Sequence, residues 1–142
     1  MRHSLILITL LCIFPLGMAQ QRVMDSIETL LKSHKEADTI KLKLLNDLAN
    51  GLININPLKG LDYSNQQLSL ATILDYKKGI SRAYNNKAFN YMSLSEDSLA
   101  LKSFQMAFKV DETNNNPVGM GISLYGMAWL YQNSAEYRKS II

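Results

Sequence analysis

The sequence predicts an all-α protein built as an α-solenoid, a stack of antiparallel helix pairs with about three repeats, the last of them incomplete. Apolar residues recur at intervals of three and four along the chain, and no segment alternates strictly between apolar and polar residues as a half-buried strand would. Alanines recur at nearly equal spacings, at Ala49, Ala88 and Ala128. The dipeptide Asn-Pro, a strong helix start, occurs twice.

The first segment, residues 1–19, predicts an export signal. Residues 5–16 are an almost unbroken apolar run after a short positive start, and residues 17–19 are Gly-Met-Ala, with small residues where signal peptidase cuts. The run is shorter than a membrane span. We therefore expect a mature chain that begins at Gln20, has no membrane span and is exported to the periplasm or cell envelope. An uncleaved N-terminal anchor is the alternative.

The charge and cysteine content exclude several classes of function. Cys12 is the only cysteine and lies in the predicted signal, so the mature chain would have no disulfide and no thiolate chemistry. Once Arg2 is removed with the signal, 14 basic residues face 12 acidic ones, a net charge of +2. Nucleic-acid binding needs basic residues clustered on one face, and no nucleic-acid partner is predicted.

The first part of the mature chain, residues 20–40, is predicted to be a helix followed by a linker. Asp25 and Glu28 have the spacing of a capping box, which predicts that a helix starts there. Asp38 or Thr39 is then expected to cap the next helix.

Five further helix starts are predicted along the rest of the chain. The Asn-Pro pairs at residues 56–57 and 116–117 each place a capping Asn before a Pro in the first helical position, where the missing N–H costs nothing. Asp75 is predicted to precede a helix, and Ser95 to cap another. Ser134 is predicted to open a last helix.

Recurring large and small residues divide residues 41–142 into units of about 41–79, 80–119 and 120–142. The middle unit holds the pattern best, at Tyr84, Lys87, Ala88, Tyr91, Ala100, Phe104 and Ala107. The third unit follows it through Leu124, Met127, Ala128 and Tyr131, and the first is degenerate, with Gly60, Ser64 and Gln67 in its second helix. The small residues are expected where two helices cross closely, and the large residues fill the space between crossings.

This order of large, small and aromatic residues resembles the tetratricopeptide repeat family, although the period exceeds that family's usual length of about 34 residues. The resemblance implies a scaffold whose first helices line a concave groove for a protein or peptide partner. The groove residues that it implies are Lys43, Asn46, Asn50, Arg82, Asn85, Asn86, Phe89, Tyr125, Trp129 and Gln132. In the alternative interpretation, Asn85 and Asn86 only bond neighbouring helices and Trp129 belongs to the core.

No constellation of residues suggests an enzyme, and no catalytic, cofactor-binding or metal-ligating residue is predicted. His34 stands alone near a helix end, fits no ligand spacing and is expected to be exposed to solvent. We therefore predict an exported interaction module. The alternative is the sensory N-terminal region of a larger signalling protein, since the chain also resembles the extracytoplasmic part of certain bacterial sensor histidine kinases and transcriptional regulators. A small hydrolase ranks last.

The end of the third unit also carries a prediction. Terminal units of a solenoid need a polar outer face, whereas the sequence ends in Ile141-Ile142. We expect exposed apolar surface at this end and self-association through it, or a sequence that continues in a longer protein.

Overall fold

Six α-helices account for nearly all of the computed structural model, which describes the backbone of residues 2–140 and the side chains of residues 18–134. The helices are α1 (Arg2–Ser33), α2 (Thr39–Gly51), α3 (Pro57–Ile73), α4 (Lys77–Ser93), α5 (Asp97–Thr113) and α6 (Pro117–Ser140). No strand occurs in this part of the chain, so the predicted all-α class is confirmed. Of the predicted export signal, residues 1–19, the structure describes the side chains of residues 18 and 19. No helix within residues 18–134 is long and apolar enough to cross a membrane.

Two predicted helix starts are confirmed in atomic detail. The Asp38 carboxylate accepts a hydrogen bond of 2.9 Å from the backbone N–H of Lys41 and caps α2. This hydrogen bond holds the pKa of Asp38 below its ordinary value. Asn56 caps α3 in the same way, accepting from the backbone N–H of Lys59 at 3.1 Å, and Pro57 occupies the first turn.

The predicted helix start at Asp25 is wrong, because α1 passes through this residue without a break. The second residue of the supposed capping box, Glu28, forms an ion pair with Lys59 of α3 instead, and this hydrogen bond raises the pKa of Lys59. Glu28 therefore fastens α1 to the helix pair that follows it.

The three turns that follow α3, α4 and α5 have the same geometry. Each contains one residue in the left-handed backbone region, with φ of 48° at Asp75, 61° at Ser95 and 49° at Asn115. In each, the next backbone N–H returns at 2.9 Å to the carbonyl five residues earlier, which closes the helix end as a Schellman motif does. Ser95 thus ends α4 and does not cap α5, so that prediction is wrong, whereas Asp75 precedes α4 as expected.

The helices pack in chain order and form a repeat-like array. Each helix contacts the next one, and α2 also contacts α4, which in turn contacts α6. Helices α3 and α5 do not contact each other in the described part of the chain. The first helices of successive pairs therefore lie side by side.

The core between α4 and α5 forms at the small residues predicted for their crossing. Ala88 of α4 and Ala100 of α5 are fully buried and pack with Phe104 and with Leu130 of α6. A second cluster joins Met24 of α1 to the apolar side chains of α2 and to Tyr63 of α3. The predicted crossing of α4 and α5 is thus present.

Helix α6 differs from its prediction, because it continues past Ser134 and no new helix starts there. The side chains expected at its crossing are largely exposed: Leu124 is 51% exposed, Tyr131 is 60% exposed, and Ala128 is exposed as well. The buried face of α6 is the one turned to α4 and α5, with Gly119, Ser123, Gly126 and Leu130. The opposite face, with Leu124, Ala128 and Tyr131, is exposed.

The cap of α2 leads to a pH-dependent prediction. Because the folded state lowers the pKa of Asp38, its ionised form stabilises the fold above the unfolded pKa, and this contribution is lost as the pH falls through the folded pKa. We expect wild type to exceed Asp38→Asn in free energy of unfolding at about pH 6, and the excess to decrease as the pH falls through the folded pKa of Asp38. Urea melts across this range measure it. An excess that persisted at about pH 2 would contradict the assignment.

Candidate functional site

Two clefts open beside Arg82 on the side of the array where α2, α4 and α6 lie next to one another. The cleft between α2 and α4 has a volume of about 280 Å³, and the cleft between α4 and α6 about 180 Å³. Of the predicted groove residues, the first cleft is lined by Lys43, Asn46 and Arg82, and the second by Arg82 and Asn85. Four of the ten predicted residues thus line these two clefts, and Arg82 lines both of them.

The two basic side chains of these clefts differ in whether their charge is paired. The Lys43 ammonium donates to the Asp47 carboxylate at 2.6 Å, so its charge is already paired. Arg82 is exposed and makes no hydrogen bond or ion pair to any residue whose side chain the structure describes. An unpaired guanidinium presents five N–H donors in a planar fork, which suits a carboxylate or a row of carbonyl oxygens.

A network of side-chain amides supports the first cleft from beneath. The Asn46 side-chain oxygen accepts from Gln67 of α3 at 3.3 Å and from Asn86 of α4 at 3.1 Å. The Asn86 amide also donates to the Gln67 oxygen at 2.9 Å. Asn86 is therefore buried between helices, and it fixes the orientation of the half-exposed Asn46 at the edge of the cleft.

Two further predicted residues pack between helices. The buried Asn85 oxygen accepts a hydrogen bond of 3.0 Å from the Ser123 hydroxyl of α6. Phe89 is half-buried, and its ring meets that of Phe104 edge to face, with centroids 5.1 Å apart and an interplanar angle of 83°. These side chains hold α4 against its neighbours, and Asn85 also lines the second cleft.

The remaining predicted residues extend the surface at both ends. Asn50 is exposed on α2, and Tyr125, Trp129 and Gln132 are exposed on α6. The alternative that Trp129 belongs to the core is therefore not met, since its ring reaches solvent. The α6 end of the surface is apolar and aromatic, and the α2 end is polar.

One buried carboxylate beside the second cleft was not predicted. Asp111 is 1% exposed, and it accepts hydrogen bonds from the hydroxyl of Ser81 and, at 2.6 Å, from the side-chain amide of Asn116. A Cβ added to Gly119 would lie 2.2 Å from its oxygen, so only glycine fits there. The repeat could have predicted this close contact. Gly79 occupies the position of Gly119 one repeat earlier, and it packs against Ala71, which occupies the position of Asp111.

The linker between α1 and α2 holds the other cluster of ionisable groups. His34 is half-buried and its ring nitrogen lies 2.9 Å from the Asp38 carboxylate, so the expectation of a solvent-exposed histidine is wrong. Donor atoms of His34, Glu36 and Asp38 lie within 4.8 Å of one another. Since Asp38 already caps α2 and Glu36 is exposed, this contact is explained by the helix start.

Comparisons with protein-family models, with curated proteins and with solved structures find no match to this chain. The geometry of the surface around Arg82 is therefore the basis for a functional proposal.

Proposed function

We propose that this protein is an exported interaction module whose helix pairs form a tetratricopeptide-like solenoid, and that it binds an extended peptide or a segment of a partner protein along the face of α2, α4 and α6. The observation that carries the proposal is the pair of clefts that flank Arg82, which has no partner among the side chains of residues 18–134. The side-by-side contacts of α2 with α4 and of α4 with α6 support the solenoid, since these contacts align three helices along one surface.

The chemistry of this face suits a peptide main chain. Amide side chains such as Asn46 and Asn50 offer both a donor and an acceptor, as an extended backbone requires. The fixed orientation of Asn46 reduces the entropy lost when a ligand binds. Tyr125 and Trp129 add rigid aromatic area, the kind of side chain that most often dominates an interface.

A selection experiment tests the proposal with variants that leave the core intact. The full chain is used to select binders from a displayed library of random peptides, and the affinity of the selected peptides is then measured. We expect the triple variant Arg82→Gln, Tyr125→Ser and Trp129→Ser to weaken binding at least about tenfold, because it removes the free cation and the exposed rings of the face.

The matched control removes the same kinds of group from another surface. Lys102, Leu99 and Met106 of α5 are exposed and lie beside a different surface cleft, between α4 and α5. The variant Lys102→Gln, Leu99→Ser and Met106→Ser should keep the affinity of wild type within about twofold. If no peptide is selected, or if only this control variant loses binding, the α2–α4–α6 face is not the binding site.

A further inference from the structure

The cleft between α4 and α6 has a shape and a charge that select among peptides. This selectivity rests on the proposed function, the binding of a peptide along α2, α4 and α6. The cleft has a volume of about 180 Å³, which is below the roughly 300 Å³ at which pockets for free small molecules begin. It therefore suits one side chain of a bound segment, and the residues that line it determine the kind of side chain.

Two basic side chains of α4, Lys78 and Arg82, line this cleft about one helical turn apart. Both are exposed, and neither makes a hydrogen bond or an ion pair to residues 18–134. Like charges four residues apart on a helix repel each other. Lys78 also lies in the first turn of α4, the end of a helix that favours negative charge. The fold therefore gains no stability from these two charges.

No acidic side chain lines the cleft to neutralise this pair of cations. Helix α4 contains four basic residues and no Asp or Glu, and residues 117–134 of α6 contain no charged residue. The carboxylates nearby already have partners, since Asp75 forms an ion pair with Lys77, and the buried Asp111 accepts hydrogen bonds from two side chains. The described lining of the cleft is thus positively charged.

The α6 side of the cleft is apolar. Val118 is 73% exposed and Ile122 is 43% exposed, and both line the cleft opposite the two cations. An apolar wall lowers the local dielectric constant, so the cations attract a charge in the cleft more strongly than they attract one in open water. The same wall can cover the methylene groups that carry a carboxylate.

We propose that the cleft between α4 and α6 is a selectivity subsite of the groove, and that it takes the carboxylate of an Asp or Glu side chain of the bound segment. The Arg82 guanidinium donates two parallel N–H groups to the two carboxylate oxygens, and the Lys78 ammonium adds a second positive charge. The ligand of the groove is therefore a peptide segment with an acidic residue at this position.

Replacement of acidic residues in selected peptides tests for the carboxylate. Peptides selected on the full chain from a displayed random library are synthesised again with each Asp or Glu changed singly to Asn or Gln, which keeps the shape and removes the charge. We expect one position in each peptide at which this change weakens binding to wild type at least about tenfold. On the variant Lys78→Gln and Arg82→Gln, the same change should alter affinity less than about twofold, because the partner charges are already absent.

Charge reversal supplies a second test with a matched control. The variant Lys78→Glu and Arg82→Glu should select peptides that carry Lys or Arg in place of the acidic residue. The control variant Lys102→Glu and Lys109→Glu reverses two charges at exposed positions of α5, off the α2–α4–α6 face, and should still select acidic peptides. All four positions are exposed, so the variants are expected to fold, which circular dichroism verifies.

Three results would overturn the subsite and leave the proposed groove standing. The first is a set of selected peptides that lack an acidic residue or keep their affinity after every acidic residue is replaced. The second is an equal loss on wild type and on the variant Lys78→Gln and Arg82→Gln, and the third is continued selection of acidic peptides by the charge-reversed variant. If no peptide is selected, the proposed function fails and the subsite fails with it.

Discussion

Replacing Phe104 with alanine should lower the free energy of unfolding by about 3–5 kcal/mol, the range measured when a large aromatic is removed from a closed core. The ring is fully buried, and it touches Ala88, Ala100 and Leu130, residues of three different helices. Backbone atoms of packed helices cannot collapse into the space that the ring leaves, so a cavity remains. Urea denaturation followed by far-UV circular dichroism measures the loss.

Met106 provides the control on the same helix. It is 41% exposed, so Met106→Ala shortens a side chain of α5 without opening an internal cavity, and it should cost less than about 1 kcal/mol. Equal losses for the two variants would show that the contacts of Phe104 do not hold α4, α5 and α6 together.

Replacing Gly126 with alanine should have the second-largest effect on stability. It should destabilise the protein, although helix propensity alone would predict stabilisation. Alanine is favoured over glycine by about 1 kcal/mol in a helix interior. At Gly126, however, the added Cβ would lie 2.2 Å from the tip of the Phe104 ring and 2.5 Å from two further ring atoms. The ring has no free space to move into, and overpacking of this kind costs about 1–3 kcal/mol. We expect a net loss of stability in thermal and urea melts.

A double-mutant cycle isolates the cause. In the Phe104→Ala background the clash is absent and the cavity can accept a methyl group, so Gly126→Ala should become stabilising, by about 1 kcal/mol. If Gly126→Ala destabilised both backgrounds equally, the close approach of α5 and α6 would not be the reason for the glycine.

The sequence predicted several helix starts and the crossing of α4 with α5 correctly, but it missed the continuity of α1 at Asp25 and the surroundings of α6. The starts of α2 and α3 were predictable because Asp38 and Asn56 make hydrogen bonds within their own helices. The crossing at Ala88 was predictable because the repeat marks it. The exposure of Leu124 and Tyr131 was not, since the corresponding residues of α2 and α4 are covered, and spacing along one helix does not state what packs against it.

Prediction of the candidate site was limited in the same way, because the spacing of residues along one helix does not reveal their partners on other helices. Helical spacing placed Lys43 and Arg82 on the correct helices, where the structure finds the clefts. Spacing could not tell Asn46, which reaches a cleft, from Asn86, which is buried beneath it, because both are amides on groove-side positions and only their partners differ. The role of Asp111 also depended on its partners, which are Ser81 on α4 and Asn116 in the turn after α5.

The repeated turn geometry has a consequence for how such a chain can change its length. Helices α3, α4 and α5 each have 17 residues, and the left-handed residues that end them, Asp75, Ser95 and Asn115, are spaced at equal intervals. A segment copied from one of these junctions to the next but one would therefore begin and end in the same backbone conformation. Duplication of such a segment in the gene would insert a complete pair in frame with the array, and its ends would join without a new loop. The nearly constant spacing is thus a property of the junctions, and an insertion that runs from one junction to another keeps the backbone conformation at both of its ends.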